Sequence, residues 1–293
     1  PGRSVPASER AWAVGGEAPW IMAAILVVPH GRGGDAGRDL QAQWPYTCAM
    51  EWHILGSYGG SSPECRMTSF LINGHLALDA GSLTQALPIE RQRLVRRVVV
   101  THSHLDHTAS IPFLLENTFG ARPEALEILV APQAMHAVKR HLFNNDTWPD
   151  FTRIPNDMLP ALRLVEVQPL EPFVFDVLTL TPIPGDHAVP THGYVVEDDA
   201  GAVIFTSDTG PTAEIWRVAN RTPNLRAVIV EVSFPTRMQS VADVSLHLTP
   251  TTLSRELTKL TREVPVYLYH FKPPYVAELR EELAGMRLPH PVE

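Results

Sequence analysis

Short apolar runs alternate with segments of helical period from residue 50 to the end of the chain. Runs rich in Val, Ile, Leu and aromatic residues, bounded by Gly, Pro or Asn, are typical of strands. We predict strands over Trp52–Gly56, Met67–Ile72, His75–Leu78, Arg97–Val100, Leu126–Val130, Phe173–Thr181, Gly193–Glu197, Ala202–Thr206, Ala227–Glu231 and Val266–Tyr269.

Segments whose apolar residues recur every three or four positions predict helices between these strands. The predicted helices are Ile111–Thr118, Gln133–Leu142, Ala213–Asn220, Thr251–Thr261 and Tyr275–Ala284. Pro250 and Gly285 stand where helices commonly begin and end. A strand-rich first half followed by alternating strands and helices predicts two packed sheets flanked by helices, an αββα sandwich of the α+β class.

The first 49 residues differ in composition from the rest. They are rich in Gly, Arg, Ala and Pro and have no sustained hydrophobic periodicity. We expect 50–293 to be one folded domain, with Met50 as the native start or 1–49 as a flexible leader appended to it. The apolar stretch Trp20–Val28 is too short to span a bilayer. We therefore expect no membrane partner and a cytoplasmic location, with an exported form left open.

Charge and cysteine content narrow the classes of function. The 293 residues include 24 Lys+Arg and 32 Asp+Glu, which gives a net charge of −8. An acidic surface repels polyphosphate, so we expect no nucleic-acid partner. Cys48 and Cys65 are too few for a disulfide framework and are expected to be free thiols.

Four side chains that commonly bind metals follow the predicted strand Arg97–Val100, namely His102, His104, Asp106 and His107. A turn that leaves a strand can direct the first two to one side and the last two to the other. Imidazole and carboxylate together suit Zn²⁺, Mn²⁺ or Fe rather than Ca²⁺. A surface histidine cluster is the alternative, but it would not explain why an apolar strand leads directly into these residues.

This segment resembles the HxHxDH motif of the metallo-β-lactamase superfamily. The resemblance implies a hydrolase domain of two sheets sandwiched by helices, with two divalent metal ions at one edge. Zinc is the expected ion, and manganese and iron are alternatives. The implied ligands are His102, His104 and His187 for one ion, Asp106, His107 and His270 for the other, and Asp208 for both.

Each of the distant ligand positions also has an ordinary interpretation. His270 could simply end a strand, and Asp208 could be a turn residue. His192 lies five residues after His187 and could exchange roles with it. We favour His187 because the sequence from it to Gly193 looks like the motif of the family.

Several segments are similar to class II cyclic-nucleotide phosphodiesterases. They are 101–112, 207–211, 230–235, 247–250 and 270–273. One departure is Thr108-Ala109, where an aliphatic residue is more common. The resemblance implies that a hydroxide bridging the two metals attacks the phosphorus of a small cyclic nucleotide, cAMP with cGMP as a second candidate, in line with the 3′ oxygen. The product is a nucleoside 5′-monophosphate, and a homodimer is left open.

The expected catalytic residues are Asp106, His247 and Glu231. Glu231 ends a predicted strand and could orient His247, raising its basicity so that it donates a proton to the departing 3′ oxygen. Alternatively, Glu231 forms an ordinary salt bridge and His247 only precedes a helix. Lys272 follows His270 closely and could contact a phosphate or remain solvated.

Three other functions compete with this interpretation. A tRNA 3′-processing endonuclease shares the motif and the Glu/His pair, but it must hold a polyanion with a basic patch or arm. The chain has no Gly- and Lys-rich insertion, and Lys139–Arg140 with His141 is only a short basic cluster. A thioester or ester hydrolase on the same scaffold is the second alternative. A binding module that has lost catalysis is the third, but such proteins normally lack ligands that this sequence retains.

Overall fold

The computed structural model of the chain describes residues 50–293, and the leader predicted over 1–49 lies outside these described residues. Two six-stranded sheets form the centre of the domain. The first contains, in spatial order, β1 (Trp52–Gly56), β2 (Ser69–Ile72), β3 (Leu76–Leu78), β4 (Arg97–Val99), β5 (Leu126–Val130) and β6 (Leu162–Glu166). The second contains β7 (Phe173–Phe175), β8 (Leu178–Pro184), β9 (His192–Asp198), β10 (Gly201–Phe205), β11 (Leu225–Glu231) and β12 (Val266–Tyr269).

Both sheets are mixed, and successive strands are neighbours in each. Pairing is antiparallel from β1 to β3 and parallel from β3 to β6. It is antiparallel from β7 to β10 and parallel from β10 to β12. Parallel neighbours need crossover connections, and most helices lie in these crossovers. The helices are α1 (Leu83–Ala86), α2 (Ile89–Gln92), α3 (Leu105–Thr108), α4 (Ile111–Thr118), α5 (Pro132–His141), α6 (Glu214–Arg221), α7 (Gln239–Ser245), α8 (Pro250–Leu257) and α9 (Val276–Gly285).

Several of the largest side chains of the core lie between the two sheets. Trp52 and Phe70 of the first sheet pack there with Phe205 and Tyr269 of the second. The rings of Phe70 and Phe205 meet edge to face, with centroids 5.1 Å apart, which is a favoured aromatic geometry. The period-two alternation of the strands therefore joins the sheets face to face.

The outer face of each sheet is covered by helices. On the first sheet, Val98 and Ile128 pack with Leu114 of α4 and Val138 of α5. On the second, Ile204 packs in one cluster with residues of α6, α8 and α9. The four layers confirm the predicted αββα sandwich. Within residues 50–293, no helix is both long and apolar enough to cross a membrane.

The structure corrects one predicted strand and adds one that was missed. The segment Phe173–Thr181, predicted as one strand, is a hairpin of β7 and β8. The turn lies at Asp176, whose φ of 52° an aspartate tolerates, and the apolar residues on both sides conceal it in the sequence. Strand β6 was not predicted, because as the edge of its sheet it carries the polar residues Arg163 and Glu166.

Several short helices were also missed, and most predicted ends shift by one to three residues. The four-residue helices α1, α2 and α3 are too short to show a helical period. Helix α7 was missed as well, and α8 ends at Leu257 rather than Thr261. Because α3 contains Asp106 and His107, this short helix sets the direction of two candidate ligands.

Candidate metal centre

The candidate ligands lie in segments that follow the carboxyl ends of four strands. The segment after β4 contains the HxHxDH motif, and those after β8, β10 and β12 contain His187, Asp208 and His270. Strands that run in one direction place their carboxyl ends at one edge of a sheet. The structure thereby brings together seven residues, called the His/Asp cluster below: His102, His104, Asp106, His107, His187, Asp208 and His270.

One half of the cluster is formed by three imidazoles and a carboxylate. His104 Nδ1 lies 3.0 Å from His102 Nε2 and 3.3 Å from His187 Nε2. His102 Nε2 lies 3.7 Å from Asp208 Oδ2. These four residues can each present one ligand atom within 4.8 Å of the others.

The other half shares Asp208 with the first. His270 Nε2 lies 3.3 Å from both His107 Nε2 and Asp106 Oδ2. Asp208 Oδ2 lies 3.1 Å from His270 Nε2 and 3.4 Å from His107 Nε2. One carboxylate oxygen therefore faces both halves, as the resemblance implies for a bridging ligand.

The cluster fits divalent metal ions better than it fits a hydrogen-bonded network. The nitrogens of His104, His102 and His187 converge, and facing imidazole nitrogens can share only one proton between each pair. Asp208 Oδ1 is buried without a hydrogen-bond partner among the described residues, and such an atom requires an explanation. Imidazole and carboxylate donors are the usual ligands of Zn²⁺ and related ions.

In the first half of the cluster, the directions of the pKa shifts favour coordination. Burial lowers the pKa of His102, and a charge on the neighbouring His107 lowers it further. Burial likewise lowers the pKa values of His104 and His187. Burial raises the pKa of Asp208, but the nearby His270 and His107 outweigh it and lower the pKa overall. Neutral imidazoles and an ionised carboxylate are the forms that bind metals.

The backbone is strained at the edges of this site. Asp79, Ser207, Leu246 and His270 all have φ between 54° and 72°, a region that residues other than glycine seldom adopt. Such strain persists where the surrounding structure fixes it, commonly at functional sites. At His270 it turns the chain immediately after β12, so that the ring enters the cluster.

Asp79 contacts the side of the His107 ring that faces away from the cluster, a role that the sequence did not reveal. Its Oδ2 lies 2.7 Å from His107 Nδ1, and its Oδ1 accepts a hydrogen bond from the Thr101 amide at 2.9 Å. A carboxylate on the distal nitrogen of a ligand histidine fixes the tautomer and the ring orientation. The available signal was an aspartate after a buried strand, followed by Ala80 and Gly81.

The variant Asp79→Asn should weaken metal binding by about 10-fold to 100-fold, because this carboxylate holds His107. Competition with a chelator of known affinity measures the change. The matched control is Asp157→Asn, which alters an aspartate that is 69% exposed and paired with Arg153. Unchanged affinity in a folded Asp79→Asn protein would contradict the supporting role.

Glu231 and His247 form a second pair beside the cluster. His247 Nδ1 lies 2.8 Å from Glu231 Oε1. Burial lowers the pKa of His247, but the charge and hydrogen bond of Glu231 outweigh burial and raise it. The His247 ring stacks on that of His270 with centroids 5.3 Å apart. His247, Asp208 and His270 can also present atoms within 4.8 Å of one another, so only metal analysis separates a ligand from a proton donor.

Ser233 connects this pair to the cluster, and it too had no assigned role. Its hydroxyl lies 2.8 Å from His270 Nδ1 and 3.0 Å from Glu231 Oε2. The hydroxyl therefore joins a candidate ligand to the carboxylate that orients His247. Only the position of Ser233 after the end of β11 hinted at this contact.

The structure distinguishes His187 from His192, which the sequence left as alternative metal ligands. His187 lies in the cluster, where its Nδ1 contacts the Leu246 carbonyl at 3.1 Å. The backbone amide of His192 donates to the Thr101 carbonyl at 3.1 Å, and its ring is outside the candidate metal groups found in residues 50–293. The site geometry therefore favours His187, and its role as a ligand stays a prediction.

The fold and the His/Asp cluster together define a metal-dependent hydrolase. A family model described as the beta-lactamase superfamily domain matches residues 68–271. The chain belongs to this superfamily. No curated protein sequence matches the chain.

Solved structures show the same fold. The metallo-beta-lactamase fold protein YhfI from Bacillus subtilis is 18% identical, with a TM-score of 0.66 over 83% of this chain and 95% of that one. Unliganded yeast PDE1 is 18% identical, with a TM-score of 0.66 over 84% and 98%. Human tRNase Z, short form, is 18% identical, with a TM-score of 0.55 over 76% and 93%. Likeness at this identity shows the fold, and the substrate has to be argued from the site.

Proposed function

We propose that the protein hydrolyses 3′,5′-cyclic nucleotides, cAMP first and cGMP second, to nucleoside 5′-monophosphates. The observation that carries the proposal is the position of Asp208 Oδ2. This atom lies within 3.7 Å of His102, His107 and His270, so it joins two potential metal sites. The Glu231–His247 pair lies directly beside it.

Two zinc ions are the proposed cofactors, with manganese or iron as alternatives, because the donors are imidazole nitrogens and carboxylate oxygens. His102, His104 and His187 would hold one ion, and Asp106, His107 and His270 the other, with Asp208 shared. When bound, such a pair activates water and neutralises the charge that develops on phosphoryl oxygens. Two adjacent ions suit phosphodiester hydrolysis in particular.

His247 is the proposed general acid. Its Nδ1 is held by Glu231 at 2.8 Å, so Nε2 is the atom that can deliver a proton to the departing 3′ oxygen. The raised pKa of His247 increases the fraction of imidazolium at neutral pH, the form that donates. Glu231 acts through His247 as a positioning residue.

The charge pattern favours a small anionic substrate over a polyanion. The chain has a net charge of −8, which opposes nonspecific binding of nucleic acid. Lys272 provides a cation at the site, with Nζ 3.5 Å from Asp106 Oδ2. One local cation and two metal ions are sufficient for a single phosphodiester.

Rates on a substrate panel test the proposal. Zinc-loaded protein should hydrolyse cAMP or cGMP faster than it cleaves a precursor tRNA or an acyl thioester, because only the cyclic nucleotides combine one phosphodiester with a small size. If the tRNA is cut while cyclic nucleotides survive, the protein is a nuclease. If the thioester reacts fastest, the proposed leaving group is wrong.

A further inference from the structure

An open pocket of about 650 Å³ adjoins the His/Asp cluster. Its size is in the usual range for small-molecule sites. It is lined by the loop after β1, by the ring of Phe234 and by the segment after His270, including Gly59, Lys272, Pro273 and Tyr275. We call it the aromatic pocket.

Three contacts join the aromatic pocket to the site. Gly59 lies so close to His270 that a Cβ atom there would be 2.5 Å from the ring. The ring centroids of Phe234 and His247 are 5.7 Å apart, and Lys272 reaches the carboxylate of Asp106 at 3.5 Å. A substrate whose phosphate lies at the cluster would therefore extend its attached group into this pocket.

The walls of the pocket suit a flat aromatic group. The rings of Phe234 and Tyr275 are 6.2 Å apart and inclined by 51°, so they offer two differently oriented faces beside proline rings. Arg237 covers Tyr275, with its guanidinium carbon 5.6 Å from the ring centroid. Arg237 is itself bound to Glu278 through two hydrogen bonds of 2.7 and 2.9 Å. These contacts hold Tyr275 in place, and a fixed ring loses little entropy when a ligand binds.

Aromatic faces at one end and a cation with metal ligands at the other match the two ends of a nucleotide. Bases stack on aromatic side chains irrespective of their hydrogen-bonding pattern, whereas the phosphate seeks positive charge. We infer that the aromatic pocket binds the base of the nucleotide substrate, through stacking on Phe234 or Tyr275. This inference rests on the proposed function and specifies where its substrate is recognised.

The test compares cAMP with the 3′,5′-cyclic phosphate of methyl riboside, which has no base. In Phe234→Ala and in Tyr275→Ala, the ratio of kcat/KM for cAMP to that for the base-free compound should fall roughly 5-fold to 100-fold, mainly through the KM for cAMP. Phe234→Leu keeps the bulk beside His247 but removes the aromatic face, so it guards against a general disturbance of the site. The matched control is Phe119→Ala, which removes a ring that is 47% exposed and packs on Phe151.

Binding of products separates this inference from the proposed function. Calorimetry with 5′-AMP and with ribose 5-phosphate measures the contribution of the base without any turnover. A preference for 5′-AMP that disappears in Phe234→Leu or Tyr275→Ala supports the pocket even if cAMP is not hydrolysed. The pocket assignment is overturned, and the proposed function stands, if cAMP is hydrolysed and all three variants keep two quantities unchanged. These are the ratio of kcat/KM values and the binding preference for 5′-AMP over ribose 5-phosphate.

Discussion

Asp208→Ala is expected to lose at least about a thousandfold in kcat/KM for phosphodiesters and most of its bound metal, because metal ions supply several kcal/mol of transition-state stabilisation. Asp208 Oδ2 is the one atom in the described residues shown to face His102, His107 and His270 together, at 3.7, 3.4 and 3.1 Å. Removing it leaves each half of the cluster one ligand short. Metal analysis by mass spectrometry and steady-state kinetics measure the two losses.

Two further variants define what the Asp208 result means. Asp208→Asn keeps the size of the side chain but removes its charge, so it should resemble Asp208→Ala in metal content if the carboxylate bridges. Asp157→Ala removes a 69% exposed aspartate and should behave like the wild type. A fully active Asp208→Ala protein with its metal retained would refute the bridging role.

His247→Ala should lower kcat by about a hundredfold to ten-thousandfold while metal content stays close to that of the wild type. The physical reason is the loss of a proton donor whose Nδ1 is held by Glu231 at 2.8 Å. Because His247 also lies within ligand distance of Asp208 and His270, kinetics alone cannot assign its role. The measurement is therefore kcat and metal content on the same preparation.

The variant Glu231→Gln tests the Glu231–His247 pair by altering the carboxylate instead of the imidazole. Glutamine can still accept a hydrogen bond from His247 but carries no charge, so the pKa of His247 should fall and activity should drop less than in His247→Ala. Parallel losses of metal and activity in His247→Ala would make His247 a ligand and remove the general-acid assignment.

The local part of the site was visible in the sequence, because four of its residues lie within six consecutive positions. A strand ending at Val99 leads directly to His102, His104, Asp106 and His107, and the spacing alone indicates a metal. The distant members of the cluster could be placed only through a resemblance. Their distances to the motif are set by the packing of two sheets, which no local pattern encodes.

The supporting residues were harder to predict, since their types are common and their partners are remote. Asp79 meets His107 across 28 positions, and Ser233 meets His270 across 37. The role of Gly59 depends on the His270 ring lying against it. In the fold, the hairpin at Asp176 was missed because apolar residues surround the turn, and β6 because an edge strand is less apolar.

The most direct test of the account is the product that zinc-loaded protein forms from 3′,5′-cAMP, identified by chromatography against 5′-AMP and 3′-AMP standards. We predict 5′-AMP, since the proposed general acid His247 would protonate the departing 3′ oxygen, and we predict that the product disappears in Asp208→Ala. Formation of 3′-AMP, or unchanged cAMP in a protein that retains its metal, would contradict the proposed function.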